Sequence, residues 1–188
     1  MTAAERKAIR RYYKQEAANK RKREMYYEIH RYGCDILQGN NFISTKAYVQ
    51  HGSMSVNQHC KSVAEASLRI NKRLRLNGDN RELVRGALLH DYFLYDWHNR
   101  EKKKGERLHG FTHANAAFTN AVNDYDISEK QKNIICSHMW PLNLTKLPRC
   151  REAWIVTFAD KYCSLMETLK VHRGILKREP VRVKIRKS

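Results

Sequence analysis

Apolar positions recur at helical spacing along most of this chain, and strict alternation is confined to its last few residues. From Ser55 the positions Val56, Val63, Ala66, Ile70 and Leu74 fall on one helical face, and His59 shares that face. Asn77-Gly78 ends this segment, and Asp79 with Glu82 three residues on forms a capping pattern for the next. Its inward face of Leu83, Ala87 and His90 delivers a His90-Asp91 pair to its end. Ser128 and Gln131 cap a further helix whose inward positions Ile134 and Ile135 lead to His138 before Trp140-Pro141 stops it. Pro148 is expected to open a long helix with Ile155, Phe158, Ala159, Tyr162, Leu165, Met166 and Leu169 as a broad apolar face and Asp160 beside it.

Two further segments are less apolar. Thr2 and Glu5 open a strongly charged helix through about Tyr32, with Ile9, Tyr12, Tyr13, Met25, Tyr26 and Ile29 as its apolar footholds. Gly33, Gly39-Asn40-Asn41 and His51-Gly52-Ser53 mark breaks. Residues 100–107 are polar and basic and read as a loop. Thr112 is a plausible cap for a helix through Ala114, Ala117, Phe118 and Ala121, which leaves His109 in the preceding loop. The alternating Val181 to Arg186 reads as a tail or short edge strand.

The fold class these patterns predict is all-α. The expected layout is a basic helical extension over 1–50 that packs on the core, a helical domain over 51–172 and a basic tail over 173–188.

Composition narrows the chemistry. Lys and Arg outnumber Asp and Glu by 37 to 19, a formal +18 that attracts anions: nucleotides, nucleic acid through the basic termini, or an acidic surface. Five scattered cysteines without a paired spacing argue against a disulfide framework or a thiolate zinc site and fit a reducing, cytoplasmic setting. No apolar run approaches the roughly 20 residues that span a bilayer. Neither a dinucleotide-binding glycine pattern nor a P-loop is present.

What remains is a set of inward His and Asp residues on successive helices: His59, His90-Asp91, His138 and Asp160, with His109 and His113 between them. A mixed imidazole and carboxylate shell suits Mn, Fe, Zn or Co, and six or seven such groups are enough for two ions. A buried histidine alone is more often a satisfied core residue than a ligand; it is the recurrence that argues for a site.

A histidine, then His-Asp, then a distant Asp in a helical chain resembles the HD-domain metal-dependent phosphohydrolases, from about Val56 to Lys170. The resemblance implies a compact multi-helix bundle in which His59, His90, Asp91 and Asp160 hold one divalent ion. It also implies that Asp91 bridges to a second ion held by His109 and His138. Asp91 is then central to catalysis, and His113 becomes a catalytic or substrate-phosphate contact. Many catalytic members place a lysine three residues after the His-Asp pair, where this chain has Leu94; Lys104 and Arg107 of the basic loop stand as substitutes. The implied activity is cleavage of a phosphomonoester or phosphodiester in a nucleotide-like anion. The alternative is a non-catalytic nucleotide- or nucleic-acid-binding protein with a structural metal. Oligomeric state is not legible.

Overall fold

The structure is a computed structural model and describes residues 3–51, 54–96 and 109–169. Seven α-helices make up most of them: α1 (Ala3–Gln38), α2 (Asn40–Ser44), α3 (Val56–Leu74), α4 (Asn80–Leu89), α5 (His109–Asp124), α6 (Glu129–Ser137) and α7 (Arg151–Thr168). A two-stranded antiparallel hairpin, β1 (Val49–His51) and β2 (Met54–Ser55), precedes α3. The described residues are all-α apart from this hairpin, which helical periodicity does not foretell.

Local chemistry sets the helix starts. Ser55 and Gln58 form a complete capping box on α3. The Asp79 carboxylate accepts from the amides of Arg81 and Glu82, and the Ser128 hydroxyl accepts from that of Gln131. Between α3 and α4 the Asn71 amide clamps the turn, donating to the Gly78 carbonyl at 2.8 Å and accepting from the Gly78 amide at 2.8 Å. α1 runs beyond the expected Tyr32 to Gln38, with its kink at Gly33. There α1 crosses α4 so closely that a side chain on Gly33 would meet Leu88.

The core lies between α3, α4, α6 and α7 and is built from residues such as Val63, Leu83, Leu88, Ile134 and Val156, all fully buried. α4 is its axis. Its Arg85 reaches α1, where it donates to the Asp35 carboxylate at 2.8 Å, and its buried Glu82 accepts from Ser128 and Gln131 at the start of α6. The inner face of α7 differs from expectation. Ile155, Val156, Ala159, Asp160, Cys163 and Glu167 point inward, whereas Phe158, Tyr162, Leu165 and Leu169 are exposed, Phe158 by 58%. α7 is apolar almost all round, so its spacing does not reveal which side packs. It also starts at Arg151 rather than at Pro148.

No helix among the described residues is long and apolar enough to cross a membrane. The basic loop with Lys104 and Arg107 and the tail 173–188 lie outside the described residues.

Candidate metal centre

α4 and α6 meet at Gly86 and Ile134, where a methyl on Gly86 would lie 2.5 Å from Ile134 Cδ1. Only glycine permits this approach without displacing a neighbour. Four residues on from each contact the helix ends in a histidine, His90 after α4 and His138 after α6. One turn past a close contact, side chains on the same faces must also be close. The two rings meet edge to face at 4.9 Å.

The other elements converge on this point. α3 contributes His59 and α7 contributes Asp160, with His59 Nε2 3.1 Å from Asp160 Oδ1. α5 contributes His113, whose Nε2 lies 2.9 Å from Nε2 of His138. Asp91 sits between the two groups. Its Oδ2 lies 3.7 Å from His59 Nε2 and 3.5 Å from His90 Nε2. Its Oδ1 lies 3.2 Å from His113 Nε2 and 3.4 Å from His138 Nε2. Two buried triads result, His59-His90-Asp91 and Asp91-His113-His138.

The rings are held from behind. His90 Nδ1 donates to the Ala87 carbonyl at 2.8 Å, His138 Nδ1 to the Ile135 carbonyl at 2.8 Å, and His59 Nδ1 to Glu167 Oε2 at 2.8 Å. A carbonyl or carboxylate only accepts, so Nδ1 carries hydrogen in each case and Nε2 is the ring nitrogen directed at the cluster. Lys161 braces the outer side, donating to Asp160 Oδ2 at 2.9 Å and to the His138 carbonyl at 3.0 Å. Gln50 on β1 donates to Asp91 Oδ2 at 2.5 Å.

Charge is distributed unevenly. Burial opposes ionisation of all these groups, yet hydrogen bonds to Asp160 and Glu167 outweigh it at His59 and push that histidine up to about 10. His90 is also raised, by Asp91 and Asp160 against burial. Against burial, His90, His113 and His138 hold Asp91 well below the usual carboxylate range, and His59 and His90 do the same for Asp160. His138 moves oppositely: burial takes it down to about 4, with His90 and His113 reinforcing and Asp91 opposing.

These residues fit a divalent cation. His90 Nε2 and Asp91 Oδ1 are fully buried and make no aligned hydrogen bond, although both face the convergence of imidazoles and carboxylates. Orphaned buried acceptors of this kind carry a desolvation penalty that a bound cation removes. The ligand types are those of transition-metal sites, with no thiolate among them.

His59, His90, Asp91, His138 and Asp160 are thus brought together as the sequence predicts. His113 joins them and touches both Asp91 and His138. His109 was expected in a loop, but α5 begins at His109 and Thr112 lies inside the helix rather than capping it; the His109 side chain lies outside the described residues. Sequence reasoning overlooked Glu167 and Gln50. Glu167 was within reach, because it follows Asp160 by seven residues, two turns along the same face. Gln50 lies in a stretch without periodicity and gave no signal.

The helices thus bury two adjoining groups of His and Asp that could hold metal ions. A family model described as HD domain matches residues 56–165, more than half of the 188-residue chain. The chain belongs to the HD-domain family, which usually comprises metal-dependent phosphohydrolases. No curated protein and no solved structure matches the chain.

Proposed function

We propose that this protein is a metal-dependent phosphohydrolase that cleaves a phosphomonoester or phosphodiester bond in a nucleotide-like substrate. The observation that carries this reading is Asp91, each of whose oxygens faces its own pair of imidazoles. In the proposed site His59, His90, Asp91 and Asp160 hold one divalent ion, and Asp91, His113 and His138 hold the second, with His109 as a further ligand. Bound there, Mn, Fe, Zn or Co would supply Lewis acidity that activates water near neutral pH and offsets phosphate charge.

The protein's own groups do the rest. Glu167 fixes the tautomer and ring plane of His59, and the Ala87 and Ile135 carbonyls fix those of His90 and His138. Gln50 orients the Asp91 carboxylate. Lys161, 41% exposed at its side chain and paired with Asp160, is a proposed contact for an incoming phosphate. Lys104 and Arg107 join it as proposed phosphate contacts. Tyr92 and Phe93 are wholly buried, so the segment directly after Asp91 contributes packing.

The test is metal content by mass spectrometry on wild type and Asp91→Ala, with hydrolysis of a nucleotide panel measured on the same samples. Metal and hydrolysis both lost in the variant support the reading. Metal without hydrolysis by the wild type replaces it with a non-catalytic, metal-stabilised binding protein. No metal, even after Mn, Fe and Zn are supplied, refutes the site.

A further inference from the structure

α1 has two unlike halves. From Glu24 onward it is tied to the body: Glu24 accepts from Lys72 at 2.7 Å, Glu28 from Asn80 at 3.3 Å, and Ile29 and Ile36 are buried. Before Glu24 it leaves the body. Residues 4–23 are exposed except for a half-buried Asn19, and at about 1.5 Å rise per residue they form an arm roughly 30 Å long.

Helix formation by this arm is not explained by packing, because it has no buried face. Its charge is also unbalanced. Nine basic residues face three acidic ones between Ala4 and Glu24, so at least six cations have no carboxylate partner within the arm. Arg6, Lys7, Arg10, Arg11 and Lys14 border one continuous patch. Their spacings of three and four residues stack like charges on successive turns, an arrangement that destabilises a helix unless an anion is shared among them. Tyr12 and Tyr13, both more than 60% exposed and in edge-to-face contact, lie within the same stretch.

We propose that this arm is a nucleic-acid-binding element that grips the phosphodiester backbone through Arg6, Lys7, Arg10, Arg11 and Lys14. A row of cations along about two turns matches a regular line of phosphates, and contacts of this kind hold nucleic acid without reading its sequence. The exposed tyrosines add ring faces on which a base or sugar can pack. An anionic membrane is the weaker match. Interfacial helices bury Trp, Phe or Leu, and Ile9 is the arm's one large aliphatic residue. This inference does not depend on the hydrolytic reading, since binding is measured with metal chelated.

The experiment uses the full chain in EDTA and fluorescein-labelled 20-nucleotide duplex RNA and duplex DNA of arbitrary sequence. Anisotropy is followed from 50 to 200 mM KCl. The wild type is expected to bind with an affinity that falls about a hundredfold over that range, as four or so phosphate contacts require. A variant with Lys7, Arg10, Arg11 and Lys14 changed to Gln should bind at least tenfold more weakly at 50 mM and lose most of the salt dependence. A control with Lys130, Lys132, Lys146 and Arg149 changed to Gln removes the same charge from the body and should bind within about twofold of wild type. Circular dichroism should show helix content rising on duplex addition in the wild type but not in the arm variant. Equal weakening in both variants, or none in the arm variant, overturns the proposal. So does tighter binding to phosphatidylserine vesicles or polyglutamate than to either duplex.

Discussion

The two triads that share Asp91 are built from the same residue types but are not equivalent. The His59-His90 side has a second carboxylate in Asp160 and a third, Glu167, behind His59, and its histidines are driven toward the charged form. The His113-His138 side has Asp91 as its described carboxylate, and burial drives His138 to the neutral form. The two triads therefore differ not in residue type but in the carboxylates behind and between their imidazoles. On the proposed reading, the first triad would give up protons on taking a metal and attract it more strongly, whereas the second would offer ready lone pairs but weaker attraction.

The harshest way to break this comparison is to remove what the triads share. Asp91→Ala should abolish metal binding at both positions and lower hydrolysis by about a thousandfold or more, a loss of more than about 4 kcal/mol in transition-state stabilisation. Metal content and turnover measured together check this, with circular dichroism to confirm the fold. His138→Ala should separate the triads: one equivalent of metal is retained, one is lost, and titration shows a single tight phase. Loss of both equivalents would mean the triads are not independent. A subtler intervention is Glu167→Gln, which keeps the hydrogen-bond acceptor and removes its charge. Metal affinity of the first position should fall by about 10 to 100-fold while the second is unchanged, measured by competition with a chromogenic chelator. The smallest expected effect is that of Gly86→Ala, which crowds Ile134 and pushes α4 from α6. It should destabilise the fold by about 1–3 kcal/mol in thermal unfolding and weaken both positions together.

The helix starts at Asp79 and Ser128 were legible because a capping side chain is a local signal that needs no knowledge of the fold, whereas the start after Ser55 was read from periodicity and its capping box was not. His59, His90 and His138 were legible because each shares the apolar face that must turn inward. Two kinds of feature were not. Where a helix is apolar on every side, as α7 is, periodicity carries no direction, so Phe158, Tyr162, Leu165 and Leu169 were assigned to the core although they lie outside it. Where a residue acts from an irregular segment, as Gln50 does, contact with Asp91 across 41 residues of sequence is fixed by tertiary packing alone. The start of α5 belongs with the first kind: Gly110 and Thr112 have the chemistry of a helix boundary, yet the helix begins at His109.

That His90 and His138 each terminate a helix has one more consequence. The peptide dipoles of α4 and α6 both point their negative ends at the cluster, and each end acts as roughly half an elementary charge. Together they amount to a backbone anion that no pH change can protonate and no side-chain substitution can delete. A bare phosphate is repelled by the same field, so on the proposed reading bound cations would have to offset it before phosphate could be held at this end of the bundle.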